Sequence, residues 1–150
     1  MPKKTKNIEY YEAIGRRKRS VARVRLYLVG KEKQVSVGNL KIKAGEVYIN
    51  QKPFDKIFVE SYKRDFILSP IGATNNQGRF AVSVLVKGGG KNGQMEAIVH
   101  GVSRALVLVD QENKPNLKKV GYLTRDSRKK ERRKVGTGGK ARRAKQSPKR

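Results

Sequence analysis

The sequence predicts an α+β domain with a long basic tail at its C-terminus. Residues 79–87 alternate apolar and other side chains with the period of a half-buried strand, and residues 94–110 repeat apolar side chains with the period of a helix. Residues 124–150 show neither pattern and are dense in lysine and arginine. We therefore expect a globular domain over residues 10–123, preceded by a flexible arm over residues 1–9.

The first strand is predicted at residues 14–29, where apolar and basic positions alternate, so that its outward face is basic. A short hairpin inserted between core strands is expected at residues 30–45, and a second core strand at residues 46–50. In the first strand, the predicted inward side chains are Val24, Leu26 and Leu28, and the outward ones are Arg23, Arg25 and Tyr27. In the strand at residues 79–87, the predicted inward side chains are Phe80, Val82, Val84 and Val86.

Shorter helices are predicted on either side of the third strand. Pro53 stands where a helix can start, and residues 54–68 fit one or two short helices. A loop is expected at residues 69–78, which hold two glycines, two asparagines and a proline. Residues 113–119 add one more helical turn, and order is expected to end near Leu123.

The predicted helix over residues 94–110 has two different faces. One is apolar and should cover the sheet, whereas the other combines small residues with a cation. Such a face permits either close approach to an RNA groove or packing within the protein, and the sequence leaves both open. A lone histidine on its edge is expected to be a hydrogen-bonding surface residue with no catalytic role. The apolar face holds Met95, Ile98, Val102, Ala105, Leu106 and Val109, and the opposite face holds Ala97, His100, Gly101 and Arg104.

The charge of the chain favours a nucleic-acid partner. The net charge is +25 with a sequence pI near 10.7, and residues 118–150 alone hold fifteen basic and two acidic side chains. Val135 is the only large apolar residue after Leu123, so the tail alone cannot offset its ordering entropy and is expected to be disordered. A basic protein without a specific partner and a protein on an anionic membrane surface are the alternatives.

Other classes of protein are not expected. No apolar stretch approaches 18 residues, and the charged N-terminal residues do not resemble a secretory signal. The chain has no cysteine and one histidine, and its acidic residues lack metal-ligand spacing. We expect no catalytic residues, no metal, no cofactor and no small-molecule substrate.

Residues 88–93 match the pattern G-x-G-x-x-G between a predicted strand and a predicted helix. A dinucleotide site is rejected because Asp110 follows the helix directly, without a second strand before it. Two interpretations remain open. The glycines either make a plain strand-to-helix turn or let backbone N–H groups approach RNA phosphates at the start of the helix.

A second basic run, Arg16, Arg17, Lys18 and Arg19, enters the first strand. It is either a solvated edge that deters sheet pairing or a set of phosphate contacts that continues into the outward arginines of the strand.

Three motifs together resemble the bacterial form of the small-subunit ribosomal protein S-nine family. They are GRRKRSVARV (residues 15–24), VKGGGKNGQMEAIVHGVSRAL (residues 86–106) and GYLTRDSRKKERRKVG (residues 121–136), followed by a Lys-Arg terminus. The resemblance implies a two-layer α/β sandwich, similar to the second domain of ribosomal protein S-five. It also implies binding to rRNA in the head of the small subunit, beside neighbouring ribosomal proteins, and a cytoplasmic or organellar ribosome of bacterial type.

The resemblance further implies that the tail reaches the peptidyl site and that its last residues contact the tRNA anticodon stem-loop. The predicted tRNA-binding residues are Lys149 and Arg150. The predicted rRNA-binding residues, from the resemblance and from the basic runs, are Arg16, Arg17, Lys18, Arg19, Arg23, Arg25, Gly88, Gly89, Gly90, Lys91, Gln94, Arg104, Arg125, Arg128, Lys129, Arg132, Arg133, Arg142 and Arg143.

The sequence departs from the family pattern in two places. Residues 30–45 are longer than the usual turn, and Pro148 interrupts the usual Ser-Lys-Arg ending, removing one N–H donor near the terminus. The sequence therefore predicts a structural ribosomal protein. A non-ribosomal RNA-binding or RNA-chaperone protein is the second interpretation, and an enzyme using the glycine loop is the third.

Overall fold

The computed structural model of the chain describes residues 3–5, 8–29, 34–38 and 40–135. The strands are β1 (Lys3–Thr5), β2 (Ile8–Arg17), β3 (Ser20–Leu28), β4 (Gln34–Val37), β5 (Leu40–Lys43), β6 (Val47–Ile49), β7 (Lys52–Pro53) and β8 (Phe80–Lys87). The helices are α1 (Phe54–Ile57), α2 (Ser61–Ala73), α3 (Lys91–Val109) and α4 (Asn113–Lys119).

Six strands form a mixed sheet in the order β1-β2-β3-β8-β6-β7. All neighbours are antiparallel except β6 and β8, which are parallel. Strands β3 and β8 are in register with Val24 opposite Val84, so the apolar positions of both strands face the same side. The parallel pair requires a crossover, which α1 and α2 supply between β6 and β8.

The main core lies between one face of this sheet and helices α2, α3 and α4. On β8, Phe80, Val82, Val84 and Val86 are buried, as the alternation predicts. The predicted apolar face of α3 packs against them, and the α+β class is confirmed. The residues of α3 in this core are Ala97, Ile98, Val102, Ala105 and Leu106, with Met95, Val107 and Val109 partly buried at its margins. Ala97 was predicted on the opposite face of the helix.

The prediction of a single strand over residues 14–29 is wrong, because this segment belongs to the β2–β3 hairpin. Arg17 pairs with Ser20, and Lys18 and Arg19 form the turn. Lys18 has a φ of 51°, a left-handed conformation usually taken by glycine or asparagine. Periodicity shows which face a side chain occupies but not where the chain reverses, and no Gly, Pro or Asn marks this turn.

The outer face of the sheet is not simply basic. The predicted hairpin exists as β4 and β5, and it covers part of this face. Tyr27, predicted to face outward into solvent, is buried there. Leu28, predicted to face inward, is 38% exposed. The hairpin and the outer face of the sheet share a second, smaller hydrophobic cluster. Its members are Tyr10, Tyr27, Val35, Ile42 and Ala81.

The loop predicted at residues 69–78 begins only at Thr74, because α2 continues through Pro70. Proline has no N–H to donate to the carbonyl four residues earlier, which belongs to Phe66. The Ser69 hydroxyl donates to that carbonyl instead, at 2.7 Å. The buried Ile71 keeps this last turn on the core, so tertiary packing outweighs the local preference.

Helix α3 begins at Lys91, three residues before the predicted start, and α4 has the predicted bounds. Residues 124–135 contain no helix or strand. Within the described part of the chain, no helix combines the length and apolar content needed to cross a membrane.

Candidate nucleic-acid interface

The glycine turn between β8 and α3 packs against the turn of the β2–β3 hairpin. Gly88 and Gly89 have φ values of 75° and 65°, which favour glycine. A Cβ on Gly88 would lie 2.5 Å from the Arg19 carbonyl oxygen, and one on Gly89 would collide with the Ser20 hydroxyl. That hydroxyl donates to the Gly88 carbonyl at 3.1 Å. These two glycines are therefore required by the fold itself.

Gly90 has a different environment. It is the N-cap of α3 with a φ of −101°, and nothing lies within 4 Å of a Cβ built on it. The Gln94 N–H donates to its carbonyl at 2.9 Å, and the N–H groups of the first turn have no acceptor within the helix. Gly90, Lys91 and Asn92 are exposed, so these N–H groups lie at an accessible, partly positive helix end.

The hairpin turn, the glycine turn and residues 129–135 together line an open cleft of about 1540 Å³. One acidic residue, Glu131, lies among eight cations. Such an excess of positive charge suits a polyanion rather than a small neutral ligand. The cations are Lys18, Arg19, Lys91, Lys129, Lys130, Arg132, Arg133 and Lys134.

The basic run at the hairpin turn splits between two environments. Arg16, Lys18 and Arg19 are exposed, but Arg17 is 9% exposed. Its guanidinium contacts Glu96 at 2.5 Å and Asp126 at 3.0 Å. Three of the four cations are thus exposed, and two of these, Lys18 and Arg19, line the cleft, whereas the fourth is already paired within the protein.

The two strand arginines also differ. Arg23 is exposed on the outer face of the sheet. Arg25 is half-buried, pairs with Glu12 at 2.7 Å and lies 4.8 Å from the centre of the Tyr10 ring. Arg25 therefore has partners within the protein, whereas the exposed position of Arg23 leaves its side chain at the surface.

The face of α3 that the sequence left undecided packs within the protein, against β2. Ala97 and Gly101 are buried, and a Cβ on Gly15 would collide with their backbones. Arg104 donates to the Ile14 carbonyl at 2.5 Å, and the Arg16 N–H donates to His100 Nδ1 at 3.4 Å. Because β1 pairs with residues 8–10 of β2, the Ile14 carbonyl and the Arg16 N–H lie beyond it and find their hydrogen-bond partners on α3.

His100 is a hydrogen-bonding residue, as its isolation in the sequence suggested. Burial lowers the pKa of its imidazole, and the charges of Arg104 and Arg125 lower it further. A hydrogen bond with the Leu123 backbone offsets this only in part. His100 therefore favours its neutral form, which can accept a hydrogen bond at Nδ1 from the backbone of β2.

The remaining predicted residues lie in α3, in residues 124–135, or outside the described part of the chain. Gln94 donates from Nε2 to the Gly88 carbonyl at 3.1 Å, which supports the glycine turn. Arg125, Arg128, Lys129, Arg132 and Arg133 lie at or near the surface, and Arg128 also pairs with Asp126 at 2.7 Å. The predicted residues Arg142, Arg143, Lys149 and Arg150 lie outside the described residues.

Several residues of the cleft were missed by the sequence analysis. Lys130 and Lys134 belong to the same basic run as their predicted neighbours, so composition alone would have found them. Asn92 and the buried Gly93 belong to the glycine motif at residues 88–93, but neither carries a charge that would single it out as a binding residue. Outside the cleft, Glu96, which holds Arg17, shows nothing in its sequence context that marks it as a partner of a residue 79 positions away.

Comparison with known proteins agrees with the resemblance. The sequence profile described as Ribosomal protein S9/S16 matches residues 15–150. The chain belongs to this family of ribosomal proteins. It is also 43% identical over 131 residues to small ribosomal subunit protein uS9 of Solidesulfovibrio magneticus, an alignment covering 87% of this chain and 90% of that protein.

Membership of the S9/S16 family makes the chain a structural protein of translation and not an enzyme. The prediction of a non-enzymatic ribosomal protein is confirmed, and the interpretation of the glycine turn as an enzyme's nucleotide site is set aside. In the described ranges, no group of three or more acidic or histidine side chains is arranged to hold a metal ion.

Proposed function

We propose that this chain is a structural component of the small ribosomal subunit, which binds rRNA at the cleft between the hairpin turn, the glycine turn and residues 129–135. The observation that carries the proposal is the convergence of three separate basic segments on one open cleft. A folded anchor joined to a cationic strand suits RNA, which proteins recognise largely by shape, phosphates and 2′-hydroxyl groups.

Two kinds of donor in the cleft suit phosphate. The first turn of α3 offers backbone N–H groups beside the exposed Lys91, and the hairpin turn brings Lys18 and Arg19 to the same opening. Each phosphate neutralised by a cation releases condensed counterions, so binding should weaken steeply with salt. This term is independent of sequence, whereas the shape of the cleft selects the RNA backbone path that fits.

The binding site is tested by replacing Lys18, Arg19 and Lys91 with glutamine in the full chain. Each phosphate interaction removed in this way should reduce the log–log slope of rRNA affinity against salt by about 0.7–0.9. The matched control replaces the exposed Lys41, Lys56 and Lys114, which removes the same charge away from the cleft. Equal slope changes in both triple variants would show that only net charge matters and would reject the cleft.

We also propose that the tail continues to the peptidyl site, where Lys149 and Arg150 meet the anticodon stem-loop of the tRNA. Support comes from the resemblance of the terminus and from the family match, which extends to residue 150. Fifteen residues follow Val135, and a fully extended chain of that length reaches about 50 Å. In the head of the subunit, neighbouring ribosomal proteins complete the surroundings of the domain.

Residence in the ribosome separates this proposal from a free-standing RNA-binding or RNA-chaperone protein. The protein should sediment with small subunits from a cell lysate washed at high salt. Recovery mainly in the fractions lighter than the subunit would favour the free-standing protein, even if the cleft binds RNA in isolation.

A further inference from the structure

Arg17 connects three separate parts of the molecule. It lies at the end of β2, and its side chain is 10% exposed. Nε contacts Glu96 of α3 at 2.5 Å, Nη2 contacts Asp126 at 3.0 Å, and Nη1 donates to the Arg128 carbonyl at 2.7 Å. Three guanidinium nitrogens therefore have acceptors within the protein, and two of these acceptors belong to the segment that leaves the domain.

Asp126 is itself held in a fixed orientation. Its carboxylate accepts the backbone N–H of Arg128 at 2.9 Å and the Arg128 guanidinium at 2.7 Å. These hydrogen bonds from Arg128 lower the pKa of Asp126 well below its usual range, with a smaller contribution from the charge of Arg17. The carboxylate is therefore ionised at neutral pH and turned towards the guanidinium of Arg17.

A second contact precedes this one in the chain. The rings of Tyr122 and Phe66 meet edge to face with centroids 6.1 Å apart, and Tyr122 and Leu123 pack against the main core. His100 joins the same segment through the Leu123 backbone. Residues 122–128, here called the tail root, thus contact the domain at both ends.

We infer that Arg17 is a positioning residue that fixes the tail root to the domain and so holds residues 129–135 beside the cleft before RNA binds. The role of that placement in RNA binding rests on the proposed function, but the contact itself does not. A segment ordered in advance loses less conformational entropy on binding.

A direct contact between Arg17 and a phosphate is the competing role. The local group consists of Arg17 and Arg128 with Glu96 and Asp126, and its formal charges sum to zero. A phosphate would have to displace two carboxylates from a side chain that is nearly buried. Neighbouring Arg16 is exposed and has no carboxylate partner among the residues that the structure describes, so phosphate contacts at this end of β2 fall to Arg16 rather than Arg17.

The inference is tested first without RNA, on the full chain in solution. Backbone ¹⁵N relaxation should show the tail root as rigid as α3 in the wild type. Arg17→Gln should make residues 124–128 mobile on the ps–ns timescale, and Asp126→Asn should do the same from the tail side, where no core residue is altered. Arg16→Gln, which removes the same charge one position earlier, should leave the tail root rigid.

A tail root that is mobile in the wild type, or that stays rigid in folded Arg17→Gln, would overturn the inference. The amide shifts of β8 and α3 show whether each variant is folded. If Arg17→Gln fails to fold, Asp126→Asn decides alone.

A second measurement distinguishes positioning from phosphate contact. Arg17→Gln should weaken rRNA binding by about two- to tenfold while leaving its salt slope unchanged. A slope reduced by about 0.7–0.9 with a rigid tail root would make Arg17 a phosphate ligand and reject the inference. If no variant at the cleft alters RNA binding, the proposed function fails, and the relaxation data still decide the role of Arg17.

Discussion

The two sides of the cleft are held by different forces. The glycine turn is fixed against the hairpin turn by backbone packing and two left-handed glycines, Gly88 and Gly89. The tail root contains no helix or strand and is held by ion pairs around Arg17 and by the ring of Tyr122. Packing resists salt and pH, whereas partly exposed ion pairs are screened. The glycine turn should therefore keep its position when salt or pH changes, whereas the contacts of the tail root should weaken.

The largest effect is expected where packing fixes the glycine turn. Gly89→Ala should lower the free energy of unfolding by about 2–3 kcal/mol, because the added methyl collides with Ser20 and the backbone has a positive φ. Gly78→Ala is the matched control, since Gly78 has a φ of 70° with open space around it, and should cost only about 1 kcal/mol. Urea unfolding measures both, and equal decreases would mean that backbone conformation, not packing, fixes the turn.

The next effect concerns the open position in the same turn. Gly90→Val should weaken rRNA binding about tenfold while lowering the free energy of unfolding by at most about 1 kcal/mol, the effect of valine at an N-cap, because the side chain has space but stands over the N–H groups of α3. Filter binding at fixed salt measures the affinity for rRNA, and urea unfolding of the same preparation measures the stability. Undiminished binding would show that phosphates do not approach the start of the helix.

A smaller effect is expected at the end of the tail. Deleting Pro148–Arg150 should leave the domain folded and incorporated but reduce retention of peptidyl-site tRNA by less than about tenfold, since other rRNA and mRNA contacts hold the same tRNA. In the proposed function, the deletion would remove the contacts of Lys149 and Arg150 with the tRNA, two charge-assisted hydrogen bonds of about 1.5–3 kcal/mol each at best. Pro148→Ala, which keeps both cations, is the control. Equal tRNA retention by truncated and intact subunits across a salt titration would remove this role.

The smallest effect concerns His100, where the tail root, β2 and α3 meet. Its pKa is lowered in the folded chain, with Arg104, Arg125 and Arg16 as the cationic neighbours. Because the unfolded chain then binds a proton more readily than the folded one, the free energy of unfolding should decrease as the pH falls below the unfolded-state pKa of about 6.5. Above that pH this group should not change it. Unfolding between pH 7.5 and 5 should show this slope, and His100→Gln should abolish it. The chain has one histidine, so a slope that persists in the variant would point to other groups.

Much of the fold was predictable because apolar periodicity reports burial directly. The alternation in β8 and the helical repeat in α3 indicated their type and their inward faces, and α4 had the predicted bounds. The reversal at Lys18 was not predictable, since a lysine carries no turn signal. The continuation of α2 through Pro70 depended on the buried Ile71 and on the Ser69 hydroxyl, neither of which local propensity weighs.

The candidate site was predictable in composition but not in arrangement. The sequence placed cations at both sides of the cleft, yet it treated Arg16 and Arg17 as equivalent. Their difference depends on Glu96 and Asp126, residues far away in the chain that only the fold brings to Arg17. In the same way, Gly89 and Gly90 are neighbours with opposite roles, because only one of them lies against Ser20.

The left-handed backbone at Lys18 implies a trade between stability and function. A side chain in that conformation costs about 1–2 kcal/mol relative to its preferred geometry, and glycine at the same position would avoid the cost. Glycine would also remove a cation from the entrance of the cleft. The hairpin turn is therefore less stable than its backbone allows, and the strain is the thermodynamic cost of presenting a positive charge at a position where the chain reverses.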